Sequence, residues 1–553
     1  MVLASYDAGR AQTSAGGRSM TEPRMAPAHQ RIYNSPLPDV EVPDLPLTTY
    51  VLAGAAGQGD KPALIDGLSG QFLTYAGLES AVGSLAGGLA ANGFAKGDVL
   101  ALMAPNMPEY AVVFHAAAMA GGIVTTINPT YTEAEVHDQL RDSGARILVT
   151  TPPLVTTASG ARAGTQVEEI YVFGEALGAK PLASLFGAAL AEAVPVGPDD
   201  VVALPYSSGT TGFSKGVMLT HRNLVANIAQ TLASAQIGSR ESLVAVLPFF
   251  HIYGMQVLMN CGLRAGATVV TLPRFDLEQF LQAHQDHQIT RSFVAPPIVV
   301  ALAKHPLVGK FDLSALKQVF SGAAPLKADL ATECGRRLGC EVVQGYGMTE
   351  LSPVSHLTPP GWFKPGSVGV TAPNTQTRIV DPVRGVDLGI DDDGEICVRG
   401  PQVMKGYLNN PQATAATIDP DGWLHTGDIG HIDADGHLYV VDRLKELIKY
   451  KGFQVPPAEL EAVLLRHPDV TDAAVIGLPD EEAGEIPVGY ITLRPGTSAT
   501  PEEIQRFVAS QVASYKQIRW LEVIEAIPKS ASGKILRRVL RDAATAQADP
   551  PAR

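Results

Sequence analysis

The chain has 553 residues, of which 46% are hydrophobic and 18% are charged, and its formal net charge at pH 7 is −14. This length exceeds the size at which a single hydrophobic core stops growing, so two or more domains are expected. The negative net charge argues against general nucleic-acid binding. The sequence contains no run of about 18 apolar residues, so a membrane span is not expected.

The first residues of the chain are polar and rich in small side chains, which predicts a disordered leader at residues 1–30 without an apolar signal segment. The cysteines form no CxxC pair. Neither a disulfide framework nor a metal framework is therefore expected, and a reducing cytoplasm is the expected location. Cys397 lies in a strand-like segment and is expected to be a core residue.

Helical and strand-like segments alternate from about residue 50 to about residue 380. A helix is predicted at Tyr75–Ala91, with Thr74 as its N-cap, and another at Ala111–Ala120. The predicted strands are Val99–Met103, Ile123–Thr126, Arg146–Thr150, Val201–Leu204, Gly216–Leu219, Leu243–Leu247 and Thr268–Leu272. This alternation favours a layered α/β architecture with largely parallel sheets, arranged as two subdomains on either side of residues 201–216.

The pattern changes after about residue 385. Strand-like segments at Glu395–Arg399 and His437–Val441, separated by turns rich in glycine and aspartate, predict an antiparallel β-rich subdomain. Beyond Arg443, helices at 457–466 and 501–514 and strands at 472–476 and 488–493 predict a small α+β domain. The expected division is a large N-terminal domain at residues 31–444, a small C-terminal domain at 445–540 and a disordered tail at 541–553.

The segment Ser207–Gly216 places five hydroxyl side chains and three glycines around one lysine. Glycines let the backbone approach a ligand closely, and amide N–H groups, hydroxyls and an ammonium together bind phosphate oxygens. The segment is not a P-loop, because only two residues separate Gly209 from Gly212 and Lys215 is followed by glycine. It is expected to lie between two buried strands, and a mobile surface turn is the alternative.

Two further segments combine glycine, hydroxyl and carboxylate groups. Gln344–Glu350 ends on a carboxylate that could hold Mg²⁺, which favours one or two carboxylates together with phosphate oxygens. Trp423–Asp428 ends on a carboxylate that could accept hydrogen bonds from ribose hydroxyls. A glutamate at a helix N-terminus and an Asx turn are the respective structural alternatives.

Histidine and lysine residues mark three more segments. Phe249–Tyr253 sets His251 among aromatic residues, a pattern that is more often structural than catalytic. Pro528–Arg538 places Lys534 in a Ser/Gly-rich loop that could equally be an exposed linker. Asp442–Gln454 is alternatively a solvated basic face, and its cations are Arg443, Lys445, Lys449 and Lys451.

Together and in this order, these segments resemble the adenylate-forming superfamily of acyl-CoA synthetases, luciferases and peptide-synthetase adenylation domains. The resemblance covers roughly residues 45–540 and is closest to the 4-coumarate–CoA ligase family. Ser207–Gly216 is similar to its AMP-binding box, Gly394–Gly400 to its second signature and Asp442–Gln454 to its hinge segment.

The resemblance implies an N-terminal AMP-binding domain and a mobile C-terminal domain. It also implies ATP, Mg²⁺ and coenzyme A, with a small carboxylic acid as the other substrate. In the first half-reaction the acid attacks the α-phosphate of ATP to give an acyl-adenylate and pyrophosphate. In the second, the thiol of coenzyme A displaces AMP to give a thioester.

The resemblance assigns the nucleotide site residue by residue. Thr349 contacts the α-phosphate, Glu350 holds Mg²⁺, and Asp428 and Arg443 hold the ribose. The nucleotide pocket is lined by Gln344, Gly345 and Tyr346. The departing pyrophosphate is held by Ser207, Ser208, Gly209, Thr210, Thr211, Gly212 and Lys215.

The resemblance also assigns the cations of the two half-reactions. Lys534 bridges the carboxylate and the α-phosphate in the first half-reaction, and the small domain then rotates about Lys445. His251 orients the carboxylate and gates the channel for the pantetheine arm. After the rotation, Lys449 and Gln454 lie near the adenylate, and coenzyme A is contacted by Lys451, Gly452 and Arg274.

By the same pattern, the acyl pocket is lined by Tyr253, Val257, Gly322, Gly345, Pro353, Val354 and Leu357. Glycine at positions 322 and 345 leaves space suited to a planar aromatic acid. The plant enzymes often carry serine near position 257, and the segment after Glu350 also departs from theirs. These departures leave open whether 4-coumarate or cinnamate is preferred.

Other activities of the superfamily are weighed against an aromatic acyl-CoA ligase. A medium- or long-chain fatty acyl-CoA ligase would need a deep apolar tunnel. An acyl-AMP ligase that loads a carrier protein would need an insertion near the hinge, which the sequence lacks. Oxidation of the luciferase type has no positive signal here. A nucleotide-binding sensor without catalysis would have lost Lys534, Glu350 or the phosphate loop, and all are present.

Overall fold

The structure, a computed structural model, describes residues 31–55, 57–207, 215–444, 446–451, 453–480, 483–497, 499–530 and 533–547. The predicted leader at 1–30 lies outside the described residues. The helices are α1 (Leu47–Leu52), α2 (Tyr75–Ala91), α3 (Pro108–Met119), α4 (Glu133–Ser143), α5 (Val155–Ala161), α6 (His221–Ala235), α7 (Cys261–Arg264), α8 (Leu277–Asp286), α9 (Pro296–Lys304), α10 (Ala328–Leu338), α11 (Pro411–Thr417), α12 (Pro457–Leu464), α13 (Pro501–Ala509) and α14 (Arg537–Gln547).

The strands pair into four sheets within the described part of the chain. Those of the first half are β1 (Tyr33–Asn34), β2 (Pro62–Asp66), β3 (Phe72–Thr74), β4 (Val99–Met103), β5 (Ile123–Thr126), β6 (Ile147–Thr150), β7 (Glu169–Val172), β8 (Lys180–Pro181), β9 (Val201–Ser207), β10 (Lys215–Thr220), β11 (Ser242–Ala245) and β12 (Thr268–Thr271). Those of the second half are β13 (Arg291–Val294), β14 (Gln318–Ser321), β15 (Glu341–Gly347), β16 (Val354–Leu357), β17 (Val370–Thr371), β18 (Gln376–Val380), β19 (Gly394–Arg399), β20 (Gly406–Tyr407), β21 (Leu424–Ile432), β22 (Leu438–Arg443), β23 (Ile448–Tyr450), β24 (Phe453–Val455), β25 (Val470–Asp480), β26 (Gly484–Leu493) and β27 (Trp520–Val523).

The first large sheet has the strand order β20-β10-β9-β5-β4-β6-β7-β8. Strand β4 is parallel to both of its neighbours, and all of its residues are buried, as expected of a parallel sheet covered on both faces. Helix α2 has the predicted bounds and N-cap, because the Thr74 hydroxyl accepts a hydrogen bond from the Gly77 amide at 3.0 Å. Helix α3 begins three residues earlier than predicted, at Pro108, since proline suits the first turn of a helix.

The second large sheet has the strand order β17-β16-β15-β14-β13-β11-β12-β2-β3, with parallel pairing from β2 through β15. Val294 pairs with Ser321, and Ser321 pairs with Gln344. The residues that follow, among them Gly322 and Gly345, therefore lie together at the carboxyl ends of these parallel strands. The carboxyl ends of parallel strands are where α/β proteins bind ligands.

The third sheet, β1-β18-β19-β21-β22, is antiparallel throughout, which confirms the predicted β-rich unit. Its core includes Leu351, Ile379 and Ile396. Pairing of β1 with β18 brings Tyr33 and Asn34, from the start of the described chain, into this unit. The predicted mixed α/β and α+β architecture is thus confirmed.

The C-terminal part forms a fourth sheet, β24-β23-β26-β25, with β27 paired to β26 and with its own hydrophobic cluster between Ile448 and Leu521. The boundary between residues 444 and 445 stays a prediction. The predicted disordered tail, 541–553, is wrong up to Gln547, because α14 continues to that residue and its Ala544 packs against the cluster of Leu540 and Ile527. Residues 548–553 lie outside the described residues.

Among the described helices, none combines the length and the apolar character needed to cross a membrane.

Candidate active site

The predicted phosphate loop joins β9 to β10, and Ser207 at the end of β9 pairs with Lys215 at the start of β10. The expectation that two strands flank the loop is confirmed. The loop residues Ser208, Gly209, Thr210, Thr211 and Gly212 lie outside the described residues.

Glu350 is a buried carboxylate beside this loop, 5% exposed. Its Oε1 accepts hydrogen bonds from the Ser207 hydroxyl at 3.1 Å and from the Tyr407 hydroxyl at 2.9 Å. The Lys215 ammonium lies over the Tyr407 ring, 4.7 Å from its centroid. A buried carboxylate beside groups that are predicted to bind phosphate suits Mg²⁺, which binds carboxylate and phosphate oxygens together. Thr349 immediately precedes it, in a short 3₁₀ turn, Thr349–Leu351.

Asp428 and Arg443 pair across β21 and β22. The Asp428 carboxylate contacts the Arg443 guanidinium at 3.1 Å and accepts a hydrogen bond from the Tyr346 hydroxyl at 2.6 Å. Burial raises the pKa of Asp428, and the charge of Arg443 opposes that rise. The structure therefore brings Tyr346, Asp428 and Arg443 together, as the resemblance implies.

The turn before Asp428 is held by a second polar cluster. Glu395 accepts a hydrogen bond from the Gly427 amide at 3.1 Å and contacts His425 Nδ1 at 2.9 Å. Cys397, buried as predicted, lies 3.4 Å from the same nitrogen. The hydrogen bonds to Cys397 and Glu395 raise the pKa of His425 to about 10. The imidazole is therefore protonated near pH 7 and interacts with both of these side chains. Glu395, Cys397 and His425 lie close enough together for a metal site, but a protonated imidazole offers no lone pair to a metal ion.

The Gln344 side chain is engaged within the protein. Its Oε1 accepts a hydrogen bond from the Leu326 amide at 2.8 Å, and its Nε2 donates to the Ser367 carbonyl at 3.5 Å. Gln344 therefore positions the strand end that carries Gly345 rather than offering a free amide to a ligand.

Aromatic rings line the predicted acyl pocket. A Cβ at Gly322 would lie 2.8 Å from the Tyr253 ring, and a Cβ at Gly345 would lie 2.6 Å from the Phe320 ring. The Tyr253 hydroxyl donates to the Phe320 carbonyl at 3.3 Å. Tyr253 and Val257 belong to a π-helical segment, Tyr253–Asn260, a feature frequent at functional sites. The pocket residues Val257, Pro353 and Leu357 are buried, and Val354 is half-buried.

His251 and Lys534 meet at the same place. Burial and the charge of Lys534 lower the pKa of His251 to about 4, so this imidazole is neutral near pH 7. Its Nδ1 accepts a hydrogen bond from the Tyr253 amide at 3.3 Å, which leaves the proton on Nε2. Burial and the charge of Arg443 lower the pKa of Lys534 to about 8, while Glu446 and Asp428 oppose that change.

The segment that carries Lys534 packs against residues at the start of α9. The Lys534 amide donates to the Ser530 hydroxyl at 3.1 Å, and its carbonyl accepts from the Ser530 amide at 2.8 Å. A Cβ at Gly533 would lie 3.4 Å from Ala295 Cβ, at the start of α9. These contacts place the loop against the edge where Gly322 and Gly345 lie.

Other predicted residues are not gathered at this point. Lys449 is exposed on β23, Lys451 is exposed in the turn after it, and Arg274 is exposed after β12. The pairing of Lys449 with Gln454 places the two on neighbouring strands. Lys445, Gly452 and the side chain of Gln454 lie outside the described residues.

Sequence reasoning missed Tyr407 and the Arg537 cluster. The Arg537 guanidinium, 11% exposed, contacts Glu461 at 2.7 Å and also Glu446. Arg537 stands in the same conspicuous segment as Lys534, so the segment was an available signal. No charge or spacing pattern in the sequence singles out Tyr407. Its place at the site becomes clear only from the pairing of β20 with β10.

Residues 52–408 match the family model described as AMP-binding enzyme, and residues 459–534 match that of the AMP-binding enzyme C-terminal domain. The chain belongs to the family of AMP-binding enzymes. It is 44% identical over 530 residues to 4-coumarate–CoA ligase 1 of Petroselinum crispum, covering 94% of this chain and 97% of that protein. It is 45% identical over 522 residues to 4-coumarate–CoA ligase 3 of Oryza sativa subsp. japonica, covering 92% and 94%.

Among solved structures, this AMP-binding enzyme resembles the anthranilate CoA ligase AuaEII in complex with anthranoyl-AMP. The TM-score is 0.85 at 25% identity, covering 92% of this chain and 99% of that chain. The resemblance stated from the sequence is confirmed, as is the expectation of an AMP-forming acid–CoA ligase that uses ATP and coenzyme A.

Proposed function

We propose that this ligase joins 4-coumarate or a closely related cinnamic acid to coenzyme A. The observation that carries the proposal is the close packing of the Tyr253 and Phe320 rings on Gly322 and Gly345, which makes aromatic rings the walls of the predicted pocket. Aromatic walls favour a planar aromatic acid, because aromatic rings pack on one another in stacked or edge-to-face arrangements. The similarity to proteins named 4-coumarate–CoA ligases supports the same substrate class.

In the first half-reaction an anionic carboxylate must reach a polyanionic phosphate, so cations and oriented donors have to neutralise the developing charge. Lys534 supplies the cation between the carboxylate and the α-phosphate. His251, neutral and protonated on Nε2, donates to the carboxylate and orients it. The low pKa of His251 matters here, because a neutral imidazole beside Lys534 adds no repulsion.

The nucleotide is held by the remaining groups of the site. Asp428 accepts hydrogen bonds from the ribose, with Arg443 beside it, and Thr349 contacts the α-phosphate. Lys215 and the phosphate loop bind the β- and γ-phosphates that leave as pyrophosphate. Mg²⁺, when bound at Glu350, neutralises charge on the phosphates.

The second half-reaction requires other groups. We assign Lys449 and Gln454 to the adenylate and Lys451, Gly452 and Arg274 to coenzyme A, after residues 445–540 turn about Lys445. The exposure of Lys449 and Lys451 supports this assignment, since a ligand can reach both side chains. The mobility of this domain and the cytoplasmic location stay predictions.

The proposal is tested by incubating the purified protein with ATP, Mg²⁺, coenzyme A and one acid at a time. We expect AMP release and a thioester absorbing in the near ultraviolet with 4-coumarate and cinnamate. If AMP is released with fatty acids but not with cinnamic acids, the substrate is a fatty acid and the proposed aromatic class is wrong. No AMP release with any acid of the panel would overturn the ligase function.

A matched pair of variants tests the pocket itself. Gly345→Val places a side chain against the Phe320 ring, so kcat/KM for 4-coumarate should fall roughly 100-fold, a loss of about 2.7 kcal/mol. Gly309→Ala is the control, because an added Cβ there meets no atom within 4 Å. An unchanged kcat/KM for 4-coumarate in Gly345→Val would contradict the pocket assignment.

A further inference from the structure

We propose that Tyr407 is a positioning residue that fixes the metal-binding carboxylate of Glu350 and the phosphate-binding ammonium of Lys215 relative to each other. This inference rests on the proposed role of Glu350 at the nucleotide site. It adds a residue that the sequence pattern did not indicate.

The backbone of Tyr407 is fixed at the edge of the first large sheet. Strand β20 pairs with β10, with Tyr407 opposite Val217 and Gly406 opposite Met218. The Tyr407 amide donates to the Thr414 hydroxyl at 2.9 Å. The residue is 7% exposed, so its ring has little freedom to reorient.

The two ends of the side chain meet two different functional groups. The hydroxyl donates to Glu350 Oε1 at 2.9 Å, and the ring face lies 4.7 Å below the Lys215 ammonium. A lysine over an aromatic face is attracted by the negative charge density of the ring. One rigid side chain therefore joins the carboxylate to the cation.

The hydroxyl also decides how the carboxylate points. Ser207 and Tyr407 both donate to Oε1 of Glu350, and an ionised carboxylate has two oxygens that only accept. Two donors on one oxygen restrict rotation of the group and direct Oε2 as the ligand for a cation. Loss of one donor should loosen that orientation without removing the carboxylate.

Two substitutions separate the two contacts. Tyr407→Phe keeps the ring under Lys215 and removes only the hydroxyl. Tyr407→Leu removes both contacts. Tyr206→Phe is the matched control, because Tyr206 precedes the same loop and its hydroxyl donates to a different carboxylate, Asp142, at 2.7 Å.

Binding of Mn²⁺ to the complex of protein and ATP, followed by electron paramagnetic resonance, tests the carboxylate contact without catalysis. We expect Tyr407→Phe to raise the Kd for Mn²⁺ roughly tenfold, and Ser207→Ala to raise it by a similar factor, since each removes one hydrogen bond to a charged group. Tyr206→Phe should bind Mn²⁺ like the unaltered protein. Unchanged Mn²⁺ affinity in both Tyr407→Phe and Ser207→Ala would overturn the inference.

ATP binding without a divalent metal tests the ring. Tyr407→Leu should bind ATP two- to fivefold more weakly than Tyr407→Phe, as expected for about 0.5–1 kcal/mol of cation–π attraction. Equal affinities would remove the ring from the proposal. If the unaltered protein activates no acid, the proposed function fails, yet the Mn²⁺ measurement still decides the role of Tyr407.

Discussion

Lys534 and Lys449 belong to the same C-terminal part of the chain but stand in opposite surroundings. Lys534 lies near His251 and Asp428, where burial lowers its pKa to about 8. The Lys449 side chain is exposed on β23, and its amide donates to the Glu485 carboxylate at 2.7 Å. Of these two lysines, Lys534 lies beside the candidate site and Lys449 does not. If Lys449 serves the same site, as we propose, the folded unit that carries both lysines has to rotate between the two half-reactions.

Polar contacts across the boundary hold the orientation that favours Lys534. The Asp442 carboxylate accepts a hydrogen bond from the Ala458 amide, in the first turn of α12, at 2.9 Å. The Lys327 ammonium donates to the Ala462 carbonyl in the same helix. Interfaces between domains that are small and polar permit relative motion. Variants that remove either lysine, or a contact that holds it in place, test whether the two lysines alternate.

The largest effect is expected from Lys534→Ala. Removing the cation between two reacting anions should slow adenylate formation roughly 10²–10³-fold, as for loss of one oriented group at a developing charge. Thioester formation from supplied acyl-adenylate should change little. Pyrophosphate release and AMP release measure the two steps separately. Lys529→Ala is the control, because Lys529 lies in the same segment but pairs with Asp472 at 2.6 Å.

Lys449→Ala should show the opposite bias, with thioester formation slowed about 10-fold or more and adenylate formation nearly unchanged. The same two assays measure it. Lys516→Ala, which removes a lysine paired with Glu459 at 2.7 Å, serves as the control. Loss of the same step in both Lys534→Ala and Lys449→Ala would show that the two lysines do not alternate.

A smaller effect concerns pH. Adenylate formation needs protonated Lys534, so kcat/KM for ATP, which reports the free enzyme, should fall as the pH rises through about 8. The charge of Glu446 raises the pKa of Lys534. Glu446→Gln should therefore move this alkaline limb to lower pH. Glu459→Gln is the control, since Glu459 pairs with Lys516 instead. A limb that stays in place in Glu446→Gln would contradict the assignment of the limb to Lys534.

The smallest effect is expected from Lys327→Met, which removes the contact with Ala462. One hydrogen bond from a charged group should shift the ratio of the two half-reaction rates a few-fold toward thioester formation. Burial lowers the pKa of Lys327 to about 8, so the shift should shrink above that pH, where the native amine loses its charge. Lys310→Met, at an exposed lysine, should leave the ratio unchanged.

Local chemistry made much of this molecule predictable. Helix α2 and its Thr74 cap follow from residues next to one another, and the same holds for β4, all of whose residues are apolar. Asp428 and Arg443 could be named from short motifs because each lies within a dense polar turn or strand end. The predicted ends of the elements were less accurate. The helix predicted at 501–514 ends at Ala509, and α14 extends into the predicted tail.

Contacts between distant segments could not be predicted in the same way. Tyr407 reaches Glu350 only because β20 joins the edge of the first sheet. Glu446 and Arg537 meet across most of the C-terminal unit. Sheet order and packing decide such pairs, and a single sequence contains no local pattern that reports them.

The buried Arg537 has a mechanical consequence. It ties α14, three residues beyond Lys534, to Glu446 just past the predicted boundary and to Glu461 in α12. Removing one partner of such a buried ion pair is costly, because it leaves a charge unpaired away from water. Glu446, α12 and the segment from Lys534 to Arg537 are therefore held together as one rigid unit. Any rotation that begins at Glu446 moves Lys534 with it.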